Sequence, residues 1–233
     1  MTGTFLNIAT VLLGGSLGLL LGSRLPERLK QTVMAGLGLF TAVTGISMFL
    51  ETQNSLIVLG ALLIGGLLGE WWKLEDGLQA LGGFFERRFN RGSDSNRFVR
   101  GFLTSSLLFC VGPMTILGSI QDGLTGEFKT LAIKSVLDGF AALAFASTLG
   151  VGVLFSTLVI LVYQGGISLL AAQLSAVISE PMTIEMTAAG GVLLLGIAIS
   201  SLLELKKIRV GSFLPALVIA PLIVAVLAWL GVQ

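Results

Sequence analysis

Histidine is absent from the 233 residues, and cysteine occurs once, at Cys110. The first absence excludes a His-based catalytic dyad or triad and removes the usual zinc ligand; the second excludes a cysteine-held iron–sulfur cluster. No Walker loop or dinucleotide fingerprint is present, and the glycine-rich stretches lie inside apolar runs rather than between a strand and a helix. A carboxylate-only intramembrane enzyme would need two acids converging at depth, and Asp138 has no evident second. The chain therefore reads as a non-enzyme with no cofactor and no metal. Charge is scarce too: 12% of residues are charged and the net charge is +1, which carries no signal for nucleic acid.

Apolar surface takes the place of charge. Apolar residues make up 54% of the chain and the mean hydropathy is +0.96, far from a soluble domain. Eight segments, near 4–22, 31–50, 54–72, 101–121, 130–149, 151–174, 185–204 and 211–231, are each long enough to cross a bilayer. A crossing needs about 20 apolar residues at 1.5 Å of helix rise each. Continuous rather than alternating apolar runs argue against membrane strands. The first segment has no positive charge before it and reads as a retained anchor, not a signal peptide. Cys110 falls inside the fourth segment, where it reads as a small packing residue.

The few charges are sorted. Connections after the odd-numbered spans hold twelve of the fourteen Lys and Arg residues, and the other side has only Lys129 and Lys134. The positive-inside tendency makes the charge-rich loops cytoplasmic and puts both termini outside. Parity supports eight or six crossings. The one long polar connection, 73–100, carries Leu74, Leu78, Leu81, Phe85 and Phe89 at helical spacing. It predicts an amphipathic helix on the cytoplasmic face, anchored by Trp71 and Trp72, acting as a tether or a gate-coupling helix. Gly92, Ser93, Asp94, Ser95 and Asn96 read as a loop.

An internal repeat alters the fold reading. Residues 59–68, LGALLIGGLL, align without gaps to 214–223, LPALVIAPLI; residues 36–51 align likewise to 189–204, with Gly38 on Gly191, Ser47 on Ser200 and Glu51 on Glu204. Gly14 and Gly15 match Gly165 and Gly166 more weakly. Members of each pair cross the membrane in opposite directions. The fold class is thus all-α: a polytopic membrane bundle of about eight helices, with inverted three-helix units (spans 1–3 and 6–8) around spans 4 and 5. The expected divisions are 1–72, 73–100, 101–150 and 151–233. Two units related by an in-plane two-fold can exchange outward-open and inward-open states, which points toward transport.

The central pair carries the candidate site. Gly112 and Pro113 interrupt span four, and a proline there leaves carbonyls in lipid that need another helix, a hydroxyl or water. Thr104, Ser105, Ser106, Thr115 and Ser119 supply hydroxyls beside the break. Span five carries Asp138, about 12 Å from the outer surface by helix rise, at the depth of the break. An ionisable residue there costs at least about 2.5 kcal/mol unless solvated or paired, and Lys134 stands one turn earlier on the same face. The pair reads either as a locally neutralised contact or as a substrate or ion site. Gly112, Pro113, Thr115, Ser119, Lys134 and Asp138 form the candidate set. Asn7, Gln121 and Asp122 stand in a second tier: Asn7 as an interhelical bond former, the other two in a solvated loop. Glycines 14, 15, 18 and 22 are spaced as helix-contact residues.

These stretches, NIATVLLGGSLGLLLG, LIGGLLGEWWKLEDGL, FCVGPMTILGSIQDGL and KSVLDGFAALAFASTLGVGV, resemble a family: the YqgA-like group of bacterial inner-membrane proteins, a domain of unknown function. The resemblance covers essentially the whole chain, and GPMTILGSIQDG is its most specific part. It implies a multi-pass protein of the inner membrane and transfers no activity. The expected function is a secondary transporter or ion-coupled carrier of a small solute, with the lipid bilayer as partner and a homo-oligomer open. The alternative is a structural or regulatory membrane protein, or a channel.

Overall fold

The computed structural model describes residues 1–22, 26–89, 95–110 and 113–231. Eleven α-helices are found among them, and no strand: α1 (Thr2–Gly22), α2 (Glu27–Phe49), α3 (Ser55–Trp71), α4 (Leu74–Phe89), α5 (Ser95–Cys110) and α6 (Pro113–Thr125) come first. Then follow α7 (Lys129–Leu149), α8 (Gly152–Leu169), α9 (Ala171–Val177), α10 (Glu180–Ile197) and α11 (Ala216–Trp229). A π-helical turn, Ala198–Leu202, prolongs α10, and a 3-10 turn, Val210–Phe213, precedes α11. Six helices are long and apolar enough to span a membrane, and the count rises to eight if each of two bent pairs is one span.

The bends lie where the chain changes direction. Lys73, at φ 53°, occupies the left-handed region and turns α3 into α4 at 57°. The fourth predicted span is not one continuous helix: α5 and α6 meet at 61°, because proline has no N–H to donate to the preceding turn's carbonyl and its ring crowds that turn. Of the expected 92–96 loop, Ser95 and Asn96 open α5, while Gly92, Ser93 and Asp94 lie outside the described residues. On α4, the side chains of Leu81, Phe85 and Phe89 are likewise outside them.

Packing is inverted relative to a water-soluble domain. Leu13, Leu67, Phe140, Val162 and Trp229 are exposed, whereas Asn7, Thr115, Ser119, Gln164 and Glu185 are buried. With lipid as solvent, polar and small residues turn inward because only protein satisfies them. Small residues also set how closely the helices approach. A Cβ on Gly14, Gly18 or Gly22 of α1 would overlap the backbone of Gly139, Leu143 or Ser147 on α7, so these two helices run parallel in near backbone contact. Other neighbours run antiparallel. Gly45 on α2 faces Gly191 on α10 reciprocally, each Cβ falling 2.5 Å from the other's carbonyl oxygen, while Gly38 faces Leu203. Gly65 and Gly69 on α3 face Ala216 and Ser212, and on α1 Thr4 and Gly15 face Gln164 and Leu154 of α8.

Both sets of connecting loops are tied down. At the end rich in basic residues, Arg209 bonds Glu70 at 3.0 Å and Asp76 at 2.7 Å, Arg100 bonds Glu204 at 2.6 Å, and Gly211 N–H donates to Glu75 at 2.7 Å. Glu204 thus ends its span in an exposed ion pair. At the opposite end, Glu185 accepts from the Thr52 hydroxyl at 2.6 Å and from the N–H groups of Gln53 and Asn54 at 2.9 and 3.1 Å.

Candidate functional site

Pro113 has no N–H, so the carbonyl four residues earlier, that of Phe109, receives no helical bond from it. Two side chains take up that oxygen. Thr115 Oγ1 donates to it at 3.2 Å from α6, and Lys134 Nζ donates at 2.7 Å from α7. The same ammonium pairs with Asp138 Oδ2, one helical turn along α7. The helix break and the buried ion pair are thus one structure. Lys134 and Asp138 are both buried, as the cost of an unpaired charge in a spanning segment requires.

Asp138 also reaches across to α1. Asn7 Nδ2 donates to Asp138 Oδ2 at 3.0 Å and to Gln164 Oε1 on α8 at 3.0 Å, and Gln164 Nε2 donates to Thr4 Oγ1 at 3.3 Å. This reach depends on the close α1–α7 approach, since Gly139, next to Asp138, lies against Thr10 and Gly14. One polar chain therefore links α1, α8, α7, α5 and α6 through the centre of an apolar bundle. Its remaining capacity is on the acceptor side. Asn7 is 0% exposed, and its Oδ1 has no donor among the described residues.

Of the candidate residues read from the sequence, Thr115, Lys134, Asp138 and Asn7 come together. Asn7 does form interhelical bonds, but at the centre of the cluster rather than at its margin. Gly112 lies outside the described residues, and Pro113 opens α6. Ser119 is fully buried, with a hydroxyl that finds no partner among the described residues. Gln121 sits at the far end of α6, bonding Glu127 at 3.1 Å and Thr130 at 3.3 Å. Asp122 is not in a solvated loop: it is 2% exposed within α6, where Oδ2 accepts from the Met1 amine and the Gly3 N–H, both at 3.1 Å. Folding of α1 against α6 and α7 covers it.

Gln164, Thr4 and Glu185 escaped the sequence reading. Gln164 had a signal, being an amide within the apolar run LVILVYQGG; so did Glu185, five residues into α10. The Phe109 carbonyl had none of its own, except by counting four residues back from Pro113. At the basic end, a cavity of about 1010 Å³ opens between α4, α5 and the 203–211 loop, bounded by Arg100, Lys206, Lys207 and Arg209 and reaching inward to Leu107 and Ile197.

A family model described as "Protein of unknown function (DUF554)" matches residues 2–225. An uncharacterized protein of Escherichia coli K12, YqgA, is 33% identical over 231 residues, covering 97% of this chain and 98% of its own. An uncharacterized membrane protein of Bacillus subtilis 168, YdfK, is 30% identical over 237 residues, covering 100% of both. No solved structure matches.

Proposed function

Since the chain belongs to DUF554, a family of unknown function that includes a membrane protein, we propose that it is a secondary transporter or ion-coupled carrier of a small solute in the bacterial inner membrane, and not an enzyme. The observation that carries this reading is the Lys134–Asp138 pair held on the Phe109 carbonyl at the α5–α6 break. A backbone oxygen released at a helix interruption, beside a buried carboxylate, is the type of group that carriers use to bind solutes and coupling ions near the midplane.

Three features support alternating access. The antiparallel pairs α1–α8, α2–α10 and α3–α11 match the alignments 14–15 with 165–166, 36–51 with 189–204, and 59–68 with 214–223, as an inverted repeat with an in-plane two-fold would have it. The cavity at the basic end, taken as cytoplasmic, ends at Leu107, two residues before Phe109, and so supplies an inward vestibule. Its wall includes Ile197 and Ser200, where α10 passes into the π-helical turn; such turns are often found at functional sites. In this arrangement α4 couples the vestibule to the bundle through Glu75 and Asp76.

A thermal-shift screen of ions and small metabolites on the purified chain, followed by flux in proteoliposomes, tests the reading. A solute that stabilises wild type and is carried across is expected to lose both effects in Asp138→Asn. A response unchanged in that variant rules out this site.

A further inference from the structure

The ammonium of Lys134 is held as a free cation would be. Its Nζ donates to the carboxylate of Asp138 and, at 2.7 Å, to the Phe109 backbone carbonyl, whose other donor is Thr115 Oγ1. Asn7 stands beside the carboxylate with a fully buried amide oxygen lacking a donor among the described residues. A carboxylate, a released carbonyl, a hydroxyl and an amide oxygen form an all-oxygen set of the kind hard cations take, and they suit a primary ammonium equally. One buried acceptor, the Asn7 amide oxygen, remains without a donor among the described residues, where a purely structural ion pair would have it satisfied.

Resting on the carrier reading above, we propose that Asp138, the Phe109 carbonyl, Thr115 and Asn7 form a site for a monovalent cation, an alkali ion or the primary ammonium of an amine solute, with Lys134 as its tethered competitor. Charge balance sets how the exchange runs. A buried site holding one carboxylate does not keep two cations, since the second has no counter-charge in a low-dielectric interior. An incoming cation therefore displaces the Lys134 ammonium from the Asp138 carboxylate and the Phe109 carbonyl rather than joining it there. The facing groups permit this: α1 and α6 present the uncharged Asn7 and Thr115, α8 presents Gln164, and α5 brings the Cys110 thiol, with Tyr163 of α8 beyond it.

The test is a cation titration of the full chain in nanodiscs, read as a rise in thermal midpoint, with sodium, potassium and methylammonium chlorides against choline chloride at matched ionic strength. In Lys134→Met the half-saturating concentration is expected to drop about tenfold or more below that of wild type at neutral pH, because the tethered competitor no longer reduces the competent fraction. Asp138→Asn is expected to respond to no cation. If Lys134→Met is too unstable to purify in choline, its yield in each cation buffer becomes the readout, with Lys134→Gln as second variant. The sodium and potassium arms against the methylammonium arm identify the source of the cation. A Lys134→Met or Lys134→Gln response no greater to any cation than to choline overturns the proposal. Should wild type meanwhile bind and carry a metabolite through Asp138, the carrier reading stands and only the cation site falls.

Discussion

Lys134 and Asp138 differ in what each leaves behind when removed. Lys134→Met strands a buried carboxylate with only Asn7 donating to it, an uncompensated charge that costs about 3–5 kcal/mol. Asp138→Asn keeps an oxygen for the ammonium, which also retains the Phe109 carbonyl. The expected outcome is asymmetric: in denaturant unfolding of purified protein, Lys134→Met is the more destabilised, and combining the two substitutions costs less than their sum. Equal losses would contradict the geometry. Glu185 makes a second residue-scale case. Its carboxylate collects the Thr52 hydroxyl and two N–H groups at the start of α3, so Glu185→Ala leaves those donors without an acceptor, for about 1–3 kcal/mol. Proteolysis of the 50–54 turn is the check, with faster cleavage expected than in wild type.

Among the elements, α1 and α7 are joined by close backbone approach rather than by large side chains. Gly18→Val is therefore expected to destabilise the bundle by about 1–3 kcal/mol, since its Cβ meets the Leu143 carbonyl. Gly36→Ala on α2 is the control: beyond its own turn of helix no atom lies within 4 Å of the point where its methyl would stand, and the change gains about 1 kcal/mol of helix propensity. Thermal midpoints of the two variants should move in opposite directions. Loss at position 36 would mean that α2 packs differently. The glycine spacing of α1 was legible in the sequence; its partner was not, because spacing names a face and says nothing of which helix covers it. The amphipathic stripe at 73–89 announced α4 in the same way, while the ion pairs that fasten it depend on a loop more than a hundred residues away.

For the whole molecule, orientation is the measurable quantity. In a Cys110→Ala background, an impermeant thiol reagent applied to intact cells is expected to label Gln53→Cys and to reach Lys206→Cys only after lysis. The reverse pattern would invert the orientation read from the basic loops. That the chain is helical and built for lipid was determined by sequence alone, because continuous apolar length and sparse, sorted charge act locally along the chain. The break at Pro113 and the depth of Asp138 belong to the same class of information: each follows from counting residues. Tertiary structure decided the rest. Asn7 and Gln164 lie 157 positions apart and meet at 3.0 Å, and Asp122 is buried by helices that no count along α6 could bring over it. A polar side chain in a membrane span must find a partner, but which partner depends on helix approach across the bundle, and that is set by packing rather than by sequence spacing.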